Sequence, residues 1–274
     1  MGDREKFDRI AQSDFHNQRG IELADRGWLD EAMKEFEKAI ELDPDSAHAH
    51  DNLATVLADK GQHREALREY LTAIELEPQS PSAHFNFASF LATHGPELAI
   101  AEYKETIALE WDYPDGHLNL GLTFAEFGRF EEALASYQEA LKLDPKDPVA
   151  KHETATVLMD LGRHGEAIPL LRDVVKVEGD NLDAWVDLGT CYATKGIFSE
   201  AERALVRALE LDAADLMANY HMAALRAAQG DADRCLESLR LAARADRERV
   251  RAWVEHDRFF DAVRSLPEFV DIFA

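Results

Sequence analysis

Residues 117–145 read HLNLGLTFAEFGRFEEALASYQEALKLDP, and the spacing inside this stretch decides how the chain folds. His117, Leu120, Gly121 and Phe124 recur at helical intervals, Gly128 marks a turn, Ala133, Tyr137 and Ala140 form a second helical set, and Pro145 stops it. The same register returns along the chain. Residues 13–46 carry Gly20, Leu23, Gly27, Ala32, Phe36, Ala39 and Pro44, and residues 47–80 carry Leu53, Leu57, Gly61, Ala66, Tyr70, Ala73 and Pro78. A helical hairpin that repeats cannot bury its apolar face alone, so its neighbours must stack on it.

Other segments keep the register with departures. Residues 81–113 retain Phe87, Leu91, Gly95, Ala99 and Tyr103, are one residue short between Gly95 and Ala99, and have Trp111 in the proline slot; irregular geometry is expected there. Residues 114–147 frame the stretch quoted above. Residues 148–181 keep Leu158, Gly162 and Ala167 but place Leu171 in the aromatic slot and Pro169 inside the second helix, where a proline should kink or delay it. Residues 182–215 carry Trp185, Leu188, Gly189, Tyr192, Gly196, Ala201 and Ala208, and residues 216–249 are degenerate. Before these seven units, residues 1–12 read as an amino-terminal cap, with Phe7, Ile10, Ala11 and Phe15 on one face. After them, residues 250–274 read as a carboxyl-terminal capping segment, whose density of aromatics leaves docking or self-association as the alternative.

This pattern resembles the tetratricopeptide repeat (TPR), W-x-x-L-G-x-x-Y, then A-x-x-x-F, then P, over about 34 residues. In residues 114–147 the tryptophan slot alone departs, being His117. The resemblance implies an all-α fold, a right-handed α-solenoid superhelix of about seven helix-turn-helix repeats with terminal capping helices. It also implies a non-enzymatic scaffold or adaptor for protein–protein interaction, with first helices lining a concave groove.

Composition narrows the partners. Thirty Lys and Arg against 54 Asp and Glu give a formal charge of -24, which repels phosphate backbones and anionic membranes. Neither nucleic acid nor membrane is expected as a partner, although acid on convex helix faces serves solubility as well. No apolar run approaches the roughly 18 residues that span a bilayer, and MGDREKFDRI lacks an apolar signal region; a cytoplasmic location is the simplest expectation. Cys191 and Cys235 occupy small-residue slots without metal-ligand spacing and read as buried free thiols.

Catalytic patterns are missing. His152-Glu153 has no second histidine four residues on, and GTCYATKG lacks phosphate-loop spacing. No cofactor or metal is expected. His16, His50, His84 and His117 share the tryptophan slot of successive first helices, too far apart for a common metal and placed for packing. Partly buried imidazoles of this kind are expected to loosen the amino-terminal repeats when they charge near pH 6.

The groove is where function is expected. At about 100° per residue the signature slots of each first helix form one buried stripe with two flanks. The flank that the resemblance turns to the concave side contains Asp14, Asp25, Asp51, Asp59, Asp115, Glu126, Asp160 and Asp183, eight acids and no Lys or Arg. Co-chaperones of this family that grip an acidic carboxyl terminus use Lys and Arg there, so that specialisation is not expected. Asn52, Asn86 and Asn119, with Gln18 before them, occupy one slot at the edge of the flank and look like the asparagine ladder by which some TPR superhelices hold a peptide backbone. An amide both donates and accepts, as a peptide bond requires, though asparagine is also a family habit at this slot.

The candidate groove therefore comprises Gln18, Ile21, Asp25, Asp51, Asn52, Asp59, Phe85, Asn86, Asp115, Leu118, Asn119, Leu122 and Glu126. Its expected ligand is an extended basic, or mixed basic and apolar, segment of another protein. A self-associating assembly protein is the alternative, with a homo-oligomer possible, and a regulatory subunit of an enzyme complex is a remote one.

Overall fold

The computed structural model describes residues 3–274, and side-chain surroundings from Glu5 onward. Among the described residues there are sixteen α-helices and no strand. The chain divides between Leu143 and Asp144 into two compact units. The first holds α1 (Asp3–Ala24), α2 (Leu29–Leu42), α3 (Ala47–Asp59), α4 (His63–Leu76), α5 (Pro81–Ala92), α6 (Pro96–Leu109), α7 (Pro114–Glu126) and α8 (Phe130–Leu143). The second holds α9 (Pro148–Asp160), α10 (His164–Val177), α11 (Leu182–Thr194), α12 (Phe198–Leu211), α13 (Leu216–Ala228), α14 (Ala232–Ala245), α15 (Arg247–His256), a 3-10 turn (Arg258–Phe260) and α16 (Pro267–Phe273).

Each hairpin is locked by small residues facing one large one. Ala133 and Tyr137 of α8 are fully buried, and the ring of Tyr137 lies against Gly121 of α7; a Cβ built on Gly121 would stand 2.4 Å from Tyr137 Cε1. The glycine therefore sets how closely the two helices approach. At the turn, Gly128 adopts φ +69°, its N–H returns to the Ala125 carbonyl, and that of Arg129 returns to Phe124. This ends α7 without a steric penalty, because glycine alone visits that region freely.

Five other hairpins turn on a glycine of positive φ, whereas the third does not. Its loop is one residue short, so Gly95 takes an extended φ of -161°, the N–H groups of His94 and Gly95 both return to the Leu91 carbonyl, and Pro96 opens α6 at once. Missing the left-handed residue, the chain reverses by a tighter turn.

Two local expectations are corrected. Helix α10 neither starts late nor breaks at Pro169, but runs over His164–Val177. The absent N–H at Pro169 costs only a bond to Gly165, in the first turn of the helix. At the amino terminus, α1 is continuous through the expected cap boundary, and Phe7 and Phe15 remain 71% and 61% exposed rather than covering the first hairpin. Ser13 is the residue of α1 that goes inside, its hydroxyl donating to the Ala39 carbonyl at 2.8 Å.

Within the first unit, α1, α3, α5 and α7 each touch the next first helix, as do α9, α11 and α13 within the second. The first helices thus line one side of each stack, and their free flanks stand side by side.

Candidate functional site

The tryptophan slot, met first along each first helix, is a hydrogen-bonding position. Nε2 of His50 stands 3.1 Å from the Pro44 carbonyl, that of His84 3.2 Å from Pro78, and that of His117 3.0 Å from Trp111, while Trp185 Nε1 donates to Gly179 at 3.0 Å. Each ties a helix to the loop six residues before it. A histidine serves as well as tryptophan because both offer a ring N–H.

Histidine also adds a second contact. Nδ1 of His16, His50 and His84 lies 2.6 Å from Glu35, Glu69 and Glu102 of the paired second helix. A carbonyl can only accept, so at His50 and His84 Nε2 is the donor to the loop. Three of the four rings thus face a carboxylate rather than an apolar wall.

On the flank itself, Gln18, Asp25, Asp59, Asp115 and Glu126 are exposed, Ile21, Asn52, Phe85, Asn86, Leu118, Asn119 and Leu122 are half-buried, and Asp51 is buried. Among the described residues, none of the eight flank acids forms an ion pair. The Lys and Arg pairs engage acids elsewhere, such as Asp30, Glu35, Glu97, Glu132, Glu166, Asp173, Glu202 and Glu255.

The amides do not stand free as a simple ladder would have them. Asn52 Nδ2 donates to Asn17 Oδ1 at 2.9 Å, Asn86 Nδ2 donates to Asp51 Oδ2 at 2.8 Å, and Asn119 Nδ2 turns back to the Asp115 carbonyl of its own helix at 2.9 Å. In the second unit His152 Nε2 meets Asp187 at 3.0 Å. One rule covers these bonds: the edge slot reaches the preceding repeat when the residue 35 positions earlier is polar. Asn17, Asp51 and His152 answer; before Asn119 the third repeat is one residue short, so the corresponding slot, 34 positions earlier, is the apolar Phe85. Each asparagine keeps one amide N–H and a carbonyl with spare capacity.

Asp51 is the unusual member. It is 9% exposed, its Oδ1 is buried without a partner, and burial pushes its carboxyl up to about 6 against the bond from Asn86 and the field of His48. Aromatic residues of the packing slots also reach the flank. Tyr70, from the second helix, reaches through to the flank with its hydroxyl 3.2 Å from that of Thr55, and Tyr103 does the same to Ser89 at 3.1 Å. Phe85 packs against Tyr103 and Tyr113, with ring centroids 5.8 and 5.3 Å apart. Burial holds the Tyr113 hydroxyl above its ordinary value, and the charges of Asp115, Glu110 and, least, Asp51 add to this.

In the second unit the flank is closed by the end of the chain. Asp257 accepts from the Tyr220 hydroxyl at 2.8 Å, and Trp253 and Phe260 pack on the Tyr220 ring. Phe259 lines a small recess together with Thr190, Thr194, His221 and Leu225. Phe260, Val263, Phe269 and Ile272 are buried with Leu236 and Leu239 of α14, so much of the aromatic density of residues 250–274 forms core. Cys191 and Cys235 are buried free thiols. Among the described residues no cluster of His, Cys, Asp and Glu suits a metal, and no helix is long and apolar enough to cross a membrane.

Comparison with known proteins agrees with this architecture. Tetratricopeptide repeat family models match residues 114–147 and 158–215, and a TPR repeat model matches residues 20–61 and 54–95. Together these cover more than half of the chain. Among curated proteins no sequence match is found. Among solved structures the chain is similar to PilF of Pseudomonas aeruginosa, at 22% identity and a TM-score of 0.69, over 77% of this chain and 96% of that one. It is similar to YrrB, described as a TPR protein with an unusual peptide-binding site, at 22% identity and a TM-score of 0.61, over 68% of this chain and 97% of that one. A tetratricopeptide repeat protein from Parabacteroides merdae aligns at 16% identity and a TM-score of 0.61, over 89% of this chain and 98% of that one. By its repeats, their packing and these matches, the chain belongs to the tetratricopeptide repeat family, a scaffold for protein–protein interaction.

Proposed function

We propose that the first-helix flank of residues 14–126 holds an extended segment of a partner protein that carries basic and apolar side chains. The observation that carries this reading is the state of the flank acids. Asp14, Asp25, Asp51, Asp59, Asp115 and Glu126 stand on one side of the first unit with no intramolecular cation, although Lys and Arg pair with acids on its other faces. Unneutralised like charges on one face repel each other, and a basic ligand relieves that repulsion. Ile21, Phe85, Leu118 and Leu122 supply apolar contacts between them. The spare capacity of Asn52, Asn86 and Asn119 supplies hydrogen bonds to a peptide backbone. YrrB, with its peptide-binding site, supplies the analogy.

Fluorescence anisotropy with labelled decapeptides tests the reading. A basic-apolar peptide should bind, an acidic-apolar one should not, and affinity should fall as salt rises from 50 to 500 mM, because exposed charges are screened within about 8 Å at physiological ionic strength. Replacing Asp25, Asp59 and Asp115 together by Asn should weaken binding, and replacing Asn52, Asn86 and Asn119 by Ala should weaken it independently of salt. Equal binding of the acidic and basic peptides would sink the proposal.

A further inference from the structure

We infer that a cleft between α10 and α12 is a binding site for a phosphorylated side chain of a partner protein. The cleft lies in the second unit and is walled by second helices. It shares no residue with the acidic flank of residues 14–126 and does not rest on the reading of that flank.

Charge picks the cleft out. The chain holds 54 Asp and Glu against 30 Lys and Arg, yet four cations line this space, Arg172 and Lys176 of α10 and Arg203 and Arg207 of α12, with one acid, Glu200. Each pair is spaced i, i+4, which puts both members on one helix face a turn apart. Like charges so placed repel, and two such pairs border the same cleft. Their relief is partial. Arg203 donates to Glu200 at 2.9 Å and Arg207 pairs with Glu210, while Asp173, the acid beside Arg172, is taken by Lys151 at 2.8 Å. Among the described residues, Arg172 and Lys176 form no ion pair.

The lining chooses the ligand. Between the charged walls the cleft is apolar, with Val175 and Leu188 buried and the Trp185 ring half-buried. Trp185 is fixed by its Nε1 bond to the Gly179 carbonyl, and the Arg207 guanidinium lies over it, 6.0 Å from the ring centre. A guanidinium stacked by its face keeps in-plane N–H groups for an oxyanion. A carboxylate ligand gains little here, because Glu200 and Glu210 already supply one each to Arg203 and Arg207 and the exchange would be like for like. A phosphoryl group brings nearly two charges and three acceptor oxygens, for the unpaired Arg172 and Lys176 and for a guanidinium besides. A protein is the source because the charge of -24 repels long polyanions and anionic membranes, and because the cleft falls within residues 158–215, which match a tetratricopeptide repeat model. An apolar neighbour of the phosphorylated residue then covers Val175 and Leu188.

The experiment uses the full chain and three fluorescein-labelled decapeptides, rich in Leu and Ser and identical except at one central position, which is phosphoserine, glutamate or serine. By anisotropy the phosphoserine peptide should bind about tenfold more tightly than either of the others. Arg172→Gln combined with Lys176→Gln changes two exposed side chains, so it should leave the thermal melt in place and remove the advantage of phosphoserine. Arg207→Lys, which keeps the charge and loses the planar stack on Trp185, should lower the affinity for the phosphoserine peptide several-fold. Equal binding of the three peptides, or a phosphoserine preference retained in the Arg172→Gln, Lys176→Gln variant, overturns the inference. Displacement of the phosphoserine peptide by an equal concentration of inorganic phosphate or ATP assigns the cleft to a free phosphate compound and overturns the choice of a protein partner.

Discussion

The side-chain amide of Asn86 donates to one carboxylate oxygen of Asp51 at 2.8 Å across adjacent repeats, and the other oxygen of that carboxylate is buried with no donor. A half-satisfied buried charge costs stability, and its cost is open to measurement.

Burial raises the folded-state carboxyl of Asp51 to about 6 from an ordinary 3.8. A raised carboxyl means that the folded protein binds the proton more tightly than the unfolded chain does. Stability from this group is therefore greatest below about pH 4 and is lost as pH rises through 6, about 2–3 kcal/mol in all. Asp51→Asn should be more stable than the wild type at pH 7.5 by an amount of that order and indistinguishable from it below pH 4. Urea melts at the two pH values decide this; equal stability at pH 7.5 would falsify the assignment.

Gly121 and Gly128 make a contrasting pair. Alanine raises intrinsic helix stability over glycine by about 1 kcal/mol, yet at Gly121 its Cβ would enter the Tyr137 ring. Gly121→Ala should therefore destabilise by about 1–3 kcal/mol through overpacking. At Gly128 nothing lies within 4 Å, so Gly128→Ala should cost about 1 kcal/mol through its positive φ alone. A stabilising Gly121→Ala would show that the hairpin is less tightly packed than the structure has it.

The His84–Glu102 contact, with side chains 9% and 25% exposed, should show real coupling. A double-mutant cycle with His84→Phe and Glu102→Gln at pH 7 should return about 1.5–3 kcal/mol, the range for a hydrogen bond to a charged group. A coupling below about 0.3 kcal/mol would mean that the pair is incidental to the stack.

Burial pushes both thiols up to about 12. At pH 8 neither Cys191 nor Cys235 should react with a disulfide reagent such as Ellman's in the native protein, and both should react at once in 6 M guanidinium. Stoichiometric native labelling within minutes would contradict the packing of α11 and α14.

The turn glycines, the buried alanines and the aromatic of each second helix were legible in the sequence because they answer to the period of a single hairpin. Even the irregular third hairpin could be read, since a missing residue between Gly95 and Ala99 removes the left-handed position. At two places local pattern gave no view of neighbours. Phe7 and Phe15 share a helical face, yet both side chains stay largely exposed. The four histidines looked like buried bases until Glu35, Glu69 and Glu102 were found opposite three of them, because a residue eighteen or nineteen positions away sits on no common helical face with its partner.

The candidate groove divides the same way. By itself the sequence determined that this is an all-α repeat of tetratricopeptide type and that one flank of its first helices carries acids without bases, since both are properties of periodic position along a helix. Which of those residues are spoken for was decided by the tertiary structure. Asn52 and Asn86 are half engaged by the repeat before them, Asn119 bonds back to its own helix, and Asp51 alone of the flank acids is buried, with one oxygen lacking a donor. The physical reason is that hydrogen bonds 35 residues apart depend on what two stacked helices present to each other. That becomes fixed only when the stack has formed.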